Sequence, residues 1–228
     1  MDDNKWIRVI GVGQSAAPII EKVSCLGYDA VDTSVISSQS EVVPTDEVCL
    51  TFIVALDDNI SADSIAKRFY DAGVLTLGLL QNADTNCYDS TIKGASSTEY
   101  VDVIQTILKS ILTPPLLSYD INDLRQTLQD SGYFQVKHFK SNDLNKVFAS
   151  FQEYLQSFSF REHQNLSVFF NFSPQQSELI KMRNVLNLSE LLSSVPATFN
   201  VSLSVYLDDS ITSANVCLSV LLAGIELG

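Results

Sequence analysis

Near its start the chain reads Trp6-Ile7-Arg8-Val9-Ile10-Gly11-Val12-Gly13-Gln14-Ser15-Ala16-Ala17-Pro18, a segment that indicates an α/β fold. Its first five residues predict a β-strand, and the two glycines predict a tight turn after it. Pro18 suits the first turn of a helix, where its missing N–H would be unpaired in any case. Apolar residues then recur at helical spacing as far as Gly27, which predicts the end of the helix.

Strands and helices continue to alternate through the first half of the chain. Tyr28–Val31 predicts a second, short strand, and residues 33–46 predict a polar connection. Val48–Ala55 is a continuous apolar run, typical of a strand buried on both faces. A helix from Ser61 to Tyr70 and another buried strand over residues 74–80 follow. This β-α-β order, met twice, predicts a parallel sheet with right-handed crossovers.

The boundary between two domains is predicted at a double proline. Residues 81–97 are polar and predict a loop, and the amphipathic segment from Glu99 to Leu112 predicts a long central helix. Pro114-Pro115 ends that helix, because proline excludes helical conformation before it. We therefore predict one domain over residues 1–115 and another over residues 116–228.

The second domain is predicted to be a four-stranded α+β sandwich with helices on one face. Its last two strands are expected to form a hairpin that turns at Asp208-Asp209-Ser210. The predicted elements, in chain order, are a helix over 121–130, a strand over 133–139, a helix over 144–158, a strand over 166–172, a helix over 177–193 and strands over 201–207 and 214–227.

The composition excludes several classes of protein. Of the 228 residues, 46% are hydrophobic and 18% are charged, which is typical of a globular chain. The net charge of −13 disfavours nucleic acid and anionic membrane surfaces as partners. The first residues lack the apolar core of a secretory signal, and the longest apolar stretch is about half of a membrane span. We expect a cytoplasmic protein with no direct membrane binding.

No residues suggest a metal site or a catalytic group. His138 and His163 have no Ser, Cys or Asp companion at a suggestive spacing. The cysteines show no CxxC pair, so we expect reduced side chains that act as small hydrophobes. We predict no metal, no cofactor and no catalytic residue. The four cysteines are Cys25, Cys49, Cys87 and Cys217.

The Gly11–Ala16 turn has two interpretations. It satisfies the dinucleotide fingerprint GxGxx(G/A) after a strand, and Asp32 follows at about the distance of a ribose-binding acid. The simpler interpretation is that Gly11 and Gly13 only permit a tight turn with close strand–helix packing. Nucleotide or dinucleotide binding through this loop therefore remains the alternative function.

Two segments resemble FtsZ, the bacterial relative of tubulin. Ile7–Gly13 is similar to that family's opening strand and first phosphate loop, and Thr113–Arg125 is similar to its synergy loop. The order and spacing of the later elements also resemble the family's second domain. The resemblance implies a reduced Rossmann-like parallel-sheet domain joined by a central helix to a four-stranded α+β domain.

The expected nucleotide site departs from the family pattern. In the family, a buried strand is followed by glycines and threonines that wrap the triphosphate. Here residues 56–63 contain no glycine, and Asp57 and Asp58 lie where phosphates would sit. The first loop has Gln14 and small non-glycine residues in place of the family's glycines. Residues 81–98 are also too few for the family's base-binding connection. We therefore expect GTPase activity to be lost.

The synergy-loop segment is the candidate assembly loop, with Pro114, Ser118, Asp120 and Asp123 as its marked positions. In the family, acids matching Asp120 and Asp123 reach the nucleotide site of the next subunit, and Ser118 replaces an asparagine. The simpler interpretation is that Asp120 caps a helix and Asp123 favours its positive end.

The resemblance thus implies a non-hydrolysing protein that assembles with itself or with an FtsZ/tubulin-like partner. A scaffold for a partner unrelated to filaments is equally compatible with the sequence. Polymerising members of the family usually carry a tail for membrane adaptors, and no tail follows the last predicted strand here. We therefore expect no membrane docking by that route.

Overall fold

The computed structural model divides into two compact units. One lies within residues 1–107 and 128–134, and the other within residues 108–127 and 135–225. This division differs from the boundary predicted at Pro115, because it falls inside the central helix. Within the described chain, no helix combines the length and hydropathy needed to cross a bilayer. The described residues are 5–36, 42–57, 59–82, 87–117, 119–157, 160, 164–174, 182–193, 195–196, 199–209, 211 and 216–225.

The first unit contains a parallel sheet with the strand order β2-β1-β3-β4-β5. The two predicted β-α-β units and the parallel sheet are therefore confirmed. A turn of 3-10 helix, Gln14–Ala16, follows the first strand. The elements are β1 Ile7–Val12, α1 Ala17–Ser24, β2 Val31–Ile36, β3 Leu50–Ala55, α2 Asn59–Asp71, β4 Leu75–Leu80, β5 Ser90–Lys93 and the central helix α3 Ser97–Leu112.

Helices cover both faces of this sheet. Ile10 and Val12 of β1 join a buried cluster with Ile65 and Phe69 of α2. Between them, Gly11 faces the opposite side of the sheet, where Ile20 of α1 packs closely against it. All six residues of β3 are buried, since this strand lies between two others and beneath helices on both sides.

Two strand predictions in this unit were wrong. The second strand begins at Val31 and extends to Ile36, whereas Tyr28–Val31 had been predicted and residues 33–46 had been interpreted as a loop. β5 lies within residues 81–97, which had also been interpreted as a loop. Neither β2 nor β5 contains a continuous apolar run that would mark a buried strand. Each is a strand because it pairs with a neighbour, β2 with β1 and β5 with β4, and the local sequence does not indicate that pairing.

The second unit contains four strands in the order β6-β9-β7-β8. The predicted four-stranded α+β architecture is confirmed. The strand β6 begins in the first unit, where Gly132 and Tyr133 pair in parallel with β5. The elements are α4 Ile121–Leu128, β6 Gly132–Ser141, α5 Leu144–Ser157, β7 Asn165–Phe172, α6 Met182–Leu192, β8 Asn200–Leu207 and β9 Val216–Ile225.

The predicted hairpin of the last two strands is wrong. The strand β7 lies between β8 and β9, in parallel with β8 and antiparallel to β9. Asp208 is buried at the end of β8, so it is more than an exposed turn residue. Proximity in sequence favours a hairpin, but β7, which is buried at seven of its eight residues, takes the place between β8 and β9.

Helical segments contact both faces of the second sheet, whereas helices had been predicted on one face. On one face, Phe148 and Phe151 of α5 and Leu188 of α6 pack with Phe170 of β7 in a single buried cluster. On the other face, Thr127 of α4 is hydrogen-bonded to Ser167 of β7, and the ring of Tyr119 lies edge-on to Phe169.

Candidate functional site

The ends of the parallel strands in the first unit lie in one row. Val12 of β1 pairs with Ile36 and with Ala55, and Ala55 pairs with Leu80, which pairs with Lys93. The loops that follow these strands therefore emerge along one edge, which we call the carboxyl edge. In open α/β sheets, ligands bind at this edge.

The two glycines of the first loop each have a geometric reason. A Cβ at Gly11 would lie 2.6 Å from Cγ1 of Ile20 and 3.1 Å from Cβ of Ala16. Gly13 has φ +81°, which L-residues with side chains rarely adopt. Gly11 thus permits close packing of α1 on β1, and Gly13 permits the turn. These two roles are those of the simpler interpretation, and a dinucleotide fingerprint requires them as well.

The loop after β3 carries a carboxylate at the same edge as Gly13. Asp57 is exposed and follows the end of β3, which pairs with β1. Gln14 is also exposed at this edge, while Asp58 lies outside the described residues. The register thus brings Gly13, Gln14 and Asp57 to one edge of the sheet.

Asp63 of α2 supports the structure of this edge. Its Oδ1 accepts a hydrogen bond from the hydroxyl of Tyr88 at 3.1 Å. Burial, followed by the negative charge of Asp63, raises the pKa of Tyr88 well above its usual range. The phenol therefore remains neutral and continues to donate to Asp63 at physiological pH.

The amino end of α3 is closed by its own side chains. The N–H of Ser96 donates to Oε2 of Glu99 at 2.6 Å, and the N–H of Glu99 donates to the Ser96 hydroxyl at 3.3 Å. This is a capping box. The hydrogen bonds from Ser96 lower the pKa of Glu99. Two N–H groups that could otherwise receive an anion are thus already occupied.

Asp32 does not share the carboxyl edge. It is the second residue of β2 and pairs with Arg8, whereas Gly11 pairs with Val35. Three residues of strand separate Asp32 from the level of Gly11, a distance of roughly 10 Å. Its carboxylate instead lies 3.9 Å from Nζ of Lys5. The register therefore does not bring together the acid and the glycine loop of the dinucleotide fingerprint.

The candidate assembly loop begins beside the edge strand β8. The N–H groups of Leu116 and Leu117 donate to the carbonyl of Val205 at 2.6 and 3.3 Å. Both leucine side chains are nevertheless exposed, at 54% and 39%. Pro114 is also exposed, and Ser118 lies outside the described residues. The loop therefore presents apolar side chains on a backbone that is held in place.

Tyr119 anchors the loop onto the second sheet. Its ring centroid lies 5.1 Å from that of Phe169, and its hydroxyl lies 3.0 Å from Oγ of Ser167. Ser167 also bonds Oγ1 of Thr127 at 2.8 Å, which links α4 to the same strand. Burial raises the pKa of Tyr119 above its usual range, although its hydroxyl partners oppose the shift.

Asp120 and Asp123 form the cap of α4. Oδ1 of Asp120 accepts the N–H groups of Asn122 and Asp123, and Oδ2 of Asp123 accepts the N–H of Asp120. Both side chains lie at the surface of the protein. The helix-cap interpretation of these acids therefore matches the geometry.

One buried ion pair was missed in the sequence. Nζ of Lys109 lies 2.8 and 3.0 Å from the two carboxylate oxygens of Asp208, and the side chains are only 15% and 9% exposed. The pair joins the carboxyl end of α3 to the segment after β8. No local pattern connects residues so far apart in sequence, so only the fold reveals the pair.

No family model and no curated protein matches the sequence. Solved structures do match it. An empty FtsZ dimer from M. jannaschii aligns with a TM-score of 0.71 at 10% identity, covering 96% of this chain and 88% of that chain. GDP-form protofilaments of TubZ from Bacillus thuringiensis serovar israelensis give a TM-score of 0.63 at 9% identity, covering 98% and 86%.

This chain has the FtsZ/tubulin-like fold. TubZ of Clostridium botulinum phage c-st also aligns, with a TM-score of 0.54 at 8% identity over 98% of this chain and 93% of that one. Within the FtsZ-like fold, the carboxyl edge and the loop over residues 114–123 are the two candidate sites. The first carries acidic side chains and a tightly packed glycine turn, and the second carries exposed leucines and a capped helix.

Proposed function

We propose that this FtsZ-like chain acts through protein–protein assembly without hydrolysing a nucleotide. Its partner is a second copy of the chain or an FtsZ/tubulin-like protein. The observation that carries the proposal is the chemistry of the carboxyl edge. Asp57 is exposed there, and residues 56–63 contain no glycine. The side chain of Ile20 fills the space beside Gly11.

Electrostatics argue against a triphosphate at this edge. A carboxylate about 5 Å from a phosphate charge costs roughly 3 kcal/mol at an effective dielectric constant near 20. That energy corresponds to about two decades of affinity for each such pair. Without glycine, the backbone after β3 is also less able to approach phosphates closely.

The loop over residues 114–123 supports an assembly role. Leu116 and Leu117 are exposed, while Tyr119 fixes the backbone next to them. Exposed apolar side chains on an ordered segment are typical of contact surfaces. The aligned structures are described as an FtsZ dimer and TubZ protofilaments, so both of these proteins with the same fold were observed as assemblies.

A nucleotide panel tests the loss of the pocket. Thermal unfolding is measured with GTP, GDP, ATP and NAD(P), each with and without Mg²⁺. A ligand that binds only the folded state raises its stability by about 2.7 kcal/mol at a hundred times its dissociation constant. We expect no shift with any of them. A shift with a guanine nucleotide would contradict the proposal, and a shift with NAD(P) would favour the dinucleotide alternative.

The role of the loop is tested with variants that keep the cap. Asp120→Asn and Asp123→Asn remove both charges but retain oxygens that accept the same N–H groups. We expect the double variant to unfold like the wild type and to associate more weakly in sedimentation velocity, alone and with an FtsZ-like protein. Unchanged association of a well-folded double variant would show that these charges play no part in assembly.

A further inference from the structure

The outer side of β8 offers backbone groups for pairing. Val205 directs its carbonyl to that side, where it accepts the N–H groups of Leu116 and Leu117. Successive residues of a strand alternate in direction, so Val201 and Leu203 point their N–H and C=O groups the same way. Among the described residues, no strand or loop pairs with these two positions.

The side chains of β8 do not protect this edge. The strand Asn200–Leu207 contains no charged residue and no proline, and Val201 is 38% exposed. Natural edge strands usually carry charges or prolines that prevent pairing with another chain. The strand β2, which ends the sheet order of the first unit, carries Asp32. The absence of such protection on β8 therefore favours a partner strand.

The absence of charge on β8 favours another uncharged strand as the partner of its outer edge. Each copy of the chain carries a net charge of −13, so two copies repel each other on average. Pairing through β8 avoids this repulsion locally, because neither strand contributes a charge. The strand β8 is itself an uncharged strand of alternating apolar residues, which is what the edge requires of its partner.

We propose that β8 pairs with β8 of a second copy, antiparallel and about a two-fold axis at Ser202. In this register, Val201 of each copy lies opposite Leu203 of the other. Both pairs are hydrogen-bonded pairs, and their apolar side chains meet on the same face of the sheet. The contact is isologous and closes at two copies. It is separate from the proposed function, because it uses neither the carboxyl edge nor Asp120 and Asp123.

The test compares three variants by sedimentation velocity over a range of protein concentrations. Val201→Lys places a charge in each cross-strand pair and weakens dimerisation by at least about tenfold. Val201→Thr preserves an uncharged β-branched side chain and retains the dimer. Val35→Lys is the matched control, since Val35 on β2 is also 38% exposed. Circular dichroism and thermal unfolding establish that each variant is folded.

The expected result is a dimer of twice 25.1 kDa that only Val201→Lys disrupts. The backbone amides of Val201 and Leu203 should exchange more slowly with solvent as the protein concentration is raised. A wild type that stays monomeric at every concentration would overturn the proposal. So would association that is insensitive to Val201→Lys but changed by the Asn variants of Asp120 and Asp123, which assigns assembly to the loop. Growth beyond two copies that depends on Val201 would overturn the two-fold geometry.

Discussion

Asp120 and Asp123 cap the same helix by exchanging hydrogen bonds. Oδ1 of Asp120 accepts the N–H of Asp123 at 3.3 Å, and Oδ2 of Asp123 accepts the N–H of Asp120 at 2.9 Å. The arrangement satisfies N–H groups that the first turn of a helix leaves unpaired. The same carboxylates are the acids of the candidate assembly loop, so structural and assembly roles must be separated by choosing substitutions that preserve the cap.

Removing the cap destabilises the protein. Asp120→Ala deletes the acceptor for two N–H groups and lowers the free energy of unfolding by about 1 kcal/mol. Asp120→Asn keeps an acceptor and stays close to the wild type. Urea unfolding of both variants measures the difference. Equal stability of the alanine and asparagine variants would contradict the capping role.

The buried ion pair between Lys109 and Asp208 stabilises the protein only when both partners are present. Lys109→Met leaves the carboxylate of Asp208 buried without its closest cation, which costs about 3 kcal/mol. Adding Asp208→Asn removes the uncompensated charge, so the double variant loses less than the sum of the two single variants. A double-mutant cycle by chemical denaturation gives the coupling. Additive losses would show that the two side chains act independently.

Sequence patterns indicated where the strands and helices of this fold lie better than they indicated which strands pair with each other. The buried run of β3 and the amphipathic face of α3 carry strong local signals, and both lie close to where they were predicted. The strand β5 is short and polar and depends on pairing with β4, so no periodicity indicated it. The place of β7 between β8 and β9 is equally non-local, which is why a hairpin was wrongly predicted.

The close packing at Gly11 makes a further prediction. Gly11→Ala places a Cβ 2.6 Å from Cγ1 of Ile20, so the helix or the strand must shift. We expect a loss of about 1–3 kcal/mol, as for other overpacked sites. Ile20→Ala removes the opposing atom, so the alanine at position 11 costs less in that background. Thermal unfolding of the wild type, the two single variants and the double variant checks this; an equal cost in both backgrounds would mean that the contact with Ile20 is not the cause.

Tyr119 predicts a change in stability at high pH. Burial raises its pKa in the folded state, so the folded protein retains a proton that the unfolded chain loses above about pH 10. This contribution is fully present below that pH and declines as the pH rises beyond it. Tyr119→Phe lacks the ionisable group, and its stability should fall less steeply above pH 10. Urea unfolding at several alkaline pH values measures both slopes. Identical slopes would contradict the role of Tyr119.

The sequence indicated some residues of the candidate sites but not the register or the packing that position them. Gln14 and Asp57 lie at the carboxyl edge, because loops that follow parallel strands share an edge. Asp32 lies at the other end of its strand, because β2 begins later in the chain than predicted. Sequence spacing gave a plausible separation from the glycines, but it contained no information on register. Tyr119, the anchor of the assembly loop, had no local signal.

Sedimentation velocity of the purified chain with and without GTP and Mg²⁺ decides whether its assembly depends on a nucleotide. An assembling protein without a working nucleotide site associates to the same extent in both conditions. We expect sedimentation distributions that depend on protein concentration and superimpose with and without GTP. Association that appears only with GTP, or that reverses as GTP is consumed, would contradict this expectation and would show that a nucleotide switch operates in this chain.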